Sequence, residues 1–260
     1  MLDAVIQAAL IGGKVISGYR SQADSMNFDR KSASDFVSAA DRDSQQAILE
    51  FIQKEFPGHA VLAEEEGGGI EGSEYRWIID PLDGTTNFLH KFPVFAVSVA
   101  VEVYNPLSTG FGPINYAAVF NPVSNDLFNA EKDQGAYLNK NKIRVSNPSD
   151  FSDALLATGF PFRDREYLEE FLRIFRNMFN GCSGIRRAGS AAQDLCWTAS
   201  GALDGFWEKG LSPWDIAAGS LIIEEAGGLV TDFEGGSKYL EIGSVVAGSE
   251  NIVKQMLTLL

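Results

Sequence analysis

Apolar residues recur at helical spacing over residues 2–20, where Leu2, Val5, Ile6, Ala9, Leu10 and Ile16 share a stripe, and helical periodicity returns over 42–56. Pro57-Gly58 stops the second helix. The period then changes. Apolar or alternating runs at 60–63, 76–79, 94–103 and 115–120 read as strands, and a hairpin series follows over 126–145, with turn signals at Asp133-Gln134-Gly135 and Asn139-Lys140-Asn141. These predict a largely antiparallel sheet. From Ala154 onward, short strands at 154–158, 184–187, 205–207, 229–231 and 245–246 alternate with helices near 164–180, 190–201, 214–226 and 249–258.

The alternation predicts a layered α/β fold in which helices cover sheets: an N-terminal α+β half over 1–150 and a C-terminal α/β half over 151–260, packed as one structural unit because no Pro/Gly/Ser linker divides them. A chain of 260 residues that is 45% hydrophobic can bury a large core. The apolar N-terminal run is broken by Asp3, Gln7, Gly12, Gly13 and Lys14, so no membrane span is expected. It also lacks a basic leader and a small-residue cleavage site, which makes it a first helix of the mature protein and the cytoplasm the expected location. Two cysteines, Cys182 and Cys196, cannot make a disulfide framework, and Cys196 falls in a helical pattern as a small buried hydrophobe.

A formal net charge of −14 argues against direct nucleic-acid binding, which needs clustered Lys and Arg. It also changes how any phosphate ligand would be held, because an acidic protein repels an anion unless divalent cations lie between the two.

Candidate chemistry centres on residues 77–88. A buried apolar strand, Trp77-Ile78-Ile79, runs into Asp80; Pro81 is expected to end the ladder; and Asp83-Gly84 turns the chain toward a helix start at Thr85 or Thr86. Two carboxylates thus lie at the mouth of one turn, with a glycine that allows close backbone approach to an anion. Taken alone, the segment reads equally as a strand-ending turn with a capping threonine. Glu64-Glu65-Glu66 closes the preceding strand and would repel itself unless solvated or metal-bound; in isolation a solvated loop running into Gly67-Gly68-Gly69 is the better reading. Asp215, in Ser212-Pro213-Trp214-Asp215 at the start of a helix, and Asp41, just before the second helix, can each be explained as first-turn acids. As a set, these oxygen donors suit Mg²⁺ and exclude a zinc site. His59 and His90 belong to no ligand pattern, and no Walker A sequence, Rossmann fingerprint or nucleophile elbow occurs. The glycines of 67–73 suggest a flap over the site.

Glu64-Glu65, then Asp80-Pro81-Leu82-Asp83-Gly84-Thr85-Thr86-Asn87-Phe88, then Gly189-Ser190-Ala191-Ala192, and finally Trp214-Asp215-Ile216-Ala217-Ala218-Gly219 closely resemble the signatures of the inositol monophosphatase family, in order and approximate spacing, across almost the whole chain. The resemblance implies an αβαβα sandwich of the inositol monophosphatase and fructose-1,6-bisphosphatase type, a homodimer, and a lithium-sensitive site holding two or three Mg²⁺ ions. By matching position, Glu64, Asp80 and the Leu82 carbonyl would hold one ion, and Asp80, Asp83 and Asp215 a second. Asp41 and Thr85 would, with Glu64, orient the attacking water; the backbone of Gly84 and Thr85 would cradle phosphate; Gly189, Ala191, Glu208 and Asp215 would line the substrate pocket. The implied reaction is direct in-line attack of water on a phosphate monoester, with inversion at phosphorus.

Thr86-Asn87-Phe88 is the inositol-type continuation of the turn, unlike the versions in relatives that act on 3′-phosphoadenosine 5′-phosphate or histidinol phosphate. Inositol monophosphate is therefore the expected substrate. Arg186-Arg187 resembles the bacterial branch, and an arginine near the pocket keeps fructose 1,6-bisphosphate, or dual specificity, as an alternative. A reading of another class also stands: certain bacterial relatives associate with transcription and RNA machinery, so the chain could act chiefly as a binding partner.

Overall fold

The computed structural model describes residues 1–20, 28–32, 35–65, 74–103, 111–161 and 165–260. The proposed 67–73 flap and Glu66 lie outside them. Helix α1 (Leu2–Arg20) is followed by a hairpin of β1 (Phe28–Ser32) and β2 (Asp35–Ser38), which the hydrophobic pattern did not predict, and by α2 (Ala39–Glu55). A seven-stranded sheet then forms in sequence order from β3 (Ala60–Ala63), β4 (Tyr75–Asp83), β5 (Ala96–Val103), β6 (Ile114–Asn121), β7 (Asp126–Glu131), β8 (Gly135–Leu138) and β9 (Asn141–Lys142). Only β3 and β4 run parallel; the remaining pairs are antiparallel, as expected from short connections. The five-residue helix α3 (Thr85–Leu89) lies between β4 and β5.

The second sheet comprises β10 (Leu155–Thr158), β11 (Gly184–Arg186), β12 (Gly205–Lys209), β13 (Leu229–Thr231) and β14 (Ser244–Gly248), in the spatial order β11-β10-β12-β14-β13. Helices α4 (Leu168–Gly181), α5 (Ala191–Ala199), α6 (Pro213–Glu225), α7 (Tyr239–Ile242) and α8 (Glu250–Leu257) connect or flank these strands. Helix α4 starts later than periodicity predicts, because Arg165–Tyr167 forms a separate 3₁₀ turn.

Strand alternation sorts the core into three layers. Trp77 and Ile79 face one way, onto α1 and α2, in a core with Val97, Val99 and Val101; Ile78 faces the other way, onto α5 and α6. In the second sheet, Phe206 joins that same central layer while Trp207 turns outward to Ile174 and Met178 of α4 and Ile252 and Met256 of α8. The order of layers is helix, sheet, helix, sheet, helix. Helix α6 has no polar face, consistent with its place between two sheets: Asp215 through Ile223 are all buried. On the opposite face of the first sheet, Gly13 lets α1 approach closely, since a Cβ there would come within 2.4 Å of the Phe120 ring.

Candidate active site

Strand β4 does not stop at Pro81. It pairs Asp80 with Ser98 and resumes at Asp83 opposite Ala96, so three steps on β4 match two on β5. The extra residue is a bulge, which accommodates a proline without an N–H and carries Asp80 and Asp83 to the same end of the sheet. Asp80 Oδ1 accepts a hydrogen bond from Leu82 N at 2.9 Å inside the bulge. Gly84 follows at φ 90°, a left-handed conformation that favours glycine, and it caps α3 in place of the anticipated threonine. A Cβ at Gly84 would also press on the Val94 carbonyl at 3.0 Å.

The second acid of the turn is held from the far side. Ser190 caps α5, and its Oγ donates to Asp83 Oδ2 at 2.6 Å while Ala192 N donates to the same oxygen at 2.7 Å. The third acid, Asp215, sits at the third position of α6, where its Oδ2 accepts from Ser212 N at 2.7 Å as half of a capping box. Asp215 therefore does serve the helix start, yet it also points into the cluster. Ser98, the cross-strand partner of Asp80, donates from Oγ to the Trp214 carbonyl at 3.1 Å and so ties the start of α6 to β5.

These links bring one carboxylate oxygen from each of Asp80, Asp83 and Asp215 within 4.8 Å of one another. Glu64 is outside that close trio but lines the same cleft, and its charge acts on Asp80. Burial, then Glu64, Asp83 and Asp215, push the Asp80 carboxyl well above the usual carboxylate range, and among the described residues the Leu82 N–H opposes them. A trio of oxygen donors that repel one another unless a cation or a proton intervenes has the chemistry of a divalent, oxygen-preferring metal site.

Around the trio, Asp41 lies in the first turn of α2, slightly inside the helix rather than before it, and is buried. Thr85 Oγ1 lies 2.8 Å from Asp41 Oδ1 and 3.1 Å from the Leu82 carbonyl, and its single proton can serve one of them at a time. The structure thus joins Asp41, Thr85 and Leu82, which are far apart or unremarkable in sequence. Glu64 follows β3 directly, its N–H donating to the Ile79 carbonyl at 3.2 Å. Gln45 on α2 fixes the next residue: its Nε2 donates to the Glu65 carbonyl at 3.0 Å and its Oε1 accepts from Glu65 N at 2.9 Å.

The trio opens into a cleft of about 750 Å³. Gly84, Thr85, Gly189, Ala191 and Glu208 line it, as does Arg187, whose guanidinium rests 5.1 Å above the Phe160 ring. Arg186 is exposed and outside it. His59 instead accepts from Trp77 Nε1 at 3.0 Å, and His90 closes α3; neither lines the cleft. Cys196 is fully buried.

Sequence reading gave no role to three residues here. Ser190 was legible in principle, since Ser190-x-x-Gln193 has the spacing of a helix start. Asp194 shows as one acid inside an apolar helix, whereas nothing local marks Gln45.

Among known proteins, a sequence model described as the inositol monophosphatase family matches residues 1–259. Nus factor SuhB of Pseudomonas aeruginosa is 43% identical over 263 residues, spanning 99% of this chain and 94% of that protein. The crystal structure of extragenic suppressor protein suhB from Bartonella henselae superposes with a TM-score of 0.93 at 39% identity, covering 99% of this chain and 96% of that one. An inositol monophosphatase from Anabaena gives a TM-score of 0.85 at 36% identity, covering 99% and 94%.

Proposed function

Because this chain belongs to the inositol monophosphatase family, matched from end to end, we propose that it is a magnesium-dependent phosphatase acting on a polyol phosphate monoester, with inositol monophosphate as the leading substrate. The observation that carries this reading is the trio of Asp80, Asp83 and Asp215, within 4.8 Å of one another at the floor of a ligand-sized cleft.

Two or three Mg²⁺ ions would be held here, one by Glu64, Asp80 and the Leu82 carbonyl and another by Asp80, Asp83 and Asp215, a set of oxygen donors that suits this ion. The chemistry such cations supply is a nucleophilic water at neutral pH and stabilisation of the phosphoryl and leaving oxygens. The chain's own residues do the positioning. Asp41, through its contact with the Thr85 hydroxyl, aligns the attacking water together with Glu64. Gly84 and Thr85 receive the phosphate at the turn, while Gly189, Ala191, Glu208 and Asp215 receive the polyol. The bulge, the α5 cap and the α6 capping box hold these groups before substrate arrives, which is where a phosphoryl-transfer site gains its rate. Inhibition by lithium, a homodimeric state and a cytoplasmic location complete the proposal; among the described residues, no helix is long and apolar enough to cross a membrane.

Phosphate release with Mg²⁺, compared across myo-inositol 1-phosphate, fructose 1,6-bisphosphate and 3′-phosphoadenosine 5′-phosphate, tests it. Preference for the inositol ester supports the full reading. Preference for fructose 1,6-bisphosphate, with Arg187 lining the cleft, keeps the site and changes the substrate. Activity on none removes the phosphatase reading.

A second reading follows from the relatives named Nus factor SuhB: the chain serves as a binding partner of transcription machinery. An Asp83→Asn variant that loses turnover but retains the cellular role would favour this reading over catalysis.

A further inference from the structure

Asp194 is the one acid on α5, and it is 1% exposed. It does not cap the helix, a task Ser190 performs by accepting from Gln193 N. Its Oδ1 is buried with no hydrogen-bond partner among the described residues, although the residue lines the same cleft as the acidic trio. Leaving a buried carboxyl oxygen unpartnered is costly, so a partner arriving with the ligand would recover that cost.

The surroundings indicate which partner. Glu208, at the end of β12, lines the same cleft and packs over Gly159, where a Cβ would fall 1.8 Å from Glu208 Oε1. Burial pushes the Asp194 carboxyl well above the usual carboxylate range; the charges of Glu208 and then Asp83 push it further, and Arg187 opposes them. The wall thus carries two carboxyls side by side, and the buried one holds its proton more readily than a free acid. An ionised carboxylate can only accept hydrogen bonds, a neutral one can also donate, and an alcohol needs both a donor and an acceptor to be satisfied. Phosphate oxygens offer no proton to Glu208, so they do not match this pair; a hydroxyl does.

We propose that Asp194 is a specificity-determining residue that donates a hydrogen bond to a hydroxyl of the substrate's leaving group while Glu208 accepts from the same polyol. This rests on the phosphatase reading and narrows it: the cleft selects phosphate esters of polyhydroxylated alcohols over esters of equal size without hydroxyls. Sites that bury a group for one hydroxyl reject analogues lacking it, because the group is then left unpaired.

The test compares kcat and KM with Mg²⁺ for myo-inositol 1-phosphate and for p-nitrophenyl phosphate, which has no hydroxyls, in the wild-type chain and in Asp194→Ala and Asp194→Asn. The ratio of kcat/KM for the polyol ester to that for the aryl ester should fall about 10- to 100-fold in Asp194→Ala, mainly through KM. Asp194→Asn, which keeps a donor and nearly the same shape, should restore the ratio to within a few-fold. An unchanged ratio in Asp194→Ala overturns the proposal, as does an asparagine variant as impaired as the alanine one. A wild-type chain that hydrolyses neither ester overturns the phosphatase reading itself, an outcome visible before any variant is made.

Discussion

The side chain of Gln45 meets both backbone groups of Glu65, donating to its carbonyl at 3.0 Å and accepting from its N–H at 2.9 Å. One amide on α2 thus copies a rung of β-ladder and extends the edge of β3 beyond its last paired residue, immediately after Glu64. Replacing it by leucine of similar size strands two polar groups in a buried setting. Gln45→Leu should cost about 2–4 kcal/mol in urea unfolding and weaken Mg²⁺ binding about tenfold, as loss of an outer-shell support does. A loss below about 0.5 kcal/mol, the scale of a neutral surface change, would show that Gln45 does not hold this edge.

Asp83 and Ser190 test the trio from two distances. Asp83→Asn keeps the shape and removes one charge, and turnover should fall about 1000-fold, the several kcal/mol that metal assistance supplies, with an unchanged circular dichroism spectrum. Near-normal turnover in that variant would end the two-ion account. Ser190→Ala removes the 2.6 Å bond behind Asp83 together with the side-chain cap of α5, so metal affinity should drop about 10- to 100-fold and stability by about 1 kcal/mol, with saturated turnover largely kept.

Metal-free stability should depend on pH in a direction opposite to that of a salt-bridged protein. Asp80 and Asp194 are both raised, by burial first, as are Glu102 and Glu224. An acid whose folded pKa lies above its unfolded value holds its proton more tightly in the folded chain, so stability falls as pH rises through that interval. The interval opens at the unfolded carboxylate pKa, about 4, so thermal unfolding in EDTA should show a lower Tm at pH 8 than at pH 5. Adding Mg²⁺ should raise Tm, and by more at pH 8, because cation and proton compete for Asp80. A Mg²⁺ increment that is flat across this range would count against cation binding at the buried carboxyl.

Gly159→Ala probes the polyol end without touching an acid. The new methyl would occupy the place of the Glu208 carboxylate, 1.8 Å from Oε1, and that side chain must swing away. KM for a polyol phosphate should rise about tenfold for one lost charged hydrogen bond, with little change in kcat. An unaltered KM would mean that Glu208 does not grip the substrate from this position.

Much of the fold was legible because burial imposes period. The strands at Trp77-Ile78-Ile79 and 115–120, and helices α1 and α6, were visible as apolar patterns within a few residues of their ends. Pro81 misled because it can be read as a full stop, whereas here it sits in a bulge whose register is set by Ser98 and Ala96 on another strand. The site divides in the same way. Asp80, Asp83 and Asp215 stand in compact local motifs, while Gln45 acts on Glu65 and Ser190 on Asp83 only once distant segments have docked. The left-handed cap at Gly84 was foreseen as a turn but not as the helix cap itself.

Each acid of the trio already has an oxygen occupied by a backbone N–H: Asp80 by Leu82, Asp83 by Ala192 and Asp215 by Ser212. Those bonds fix the direction from which each carboxylate meets an incoming cation. Calcium seeks six to eight oxygens, often from bidentate carboxylates, whereas magnesium accepts a sparse protein shell and keeps water and phosphate for its other positions. The peptide backbone would thus act as a sieve for ionic radius, sorting metals before any substrate has bound.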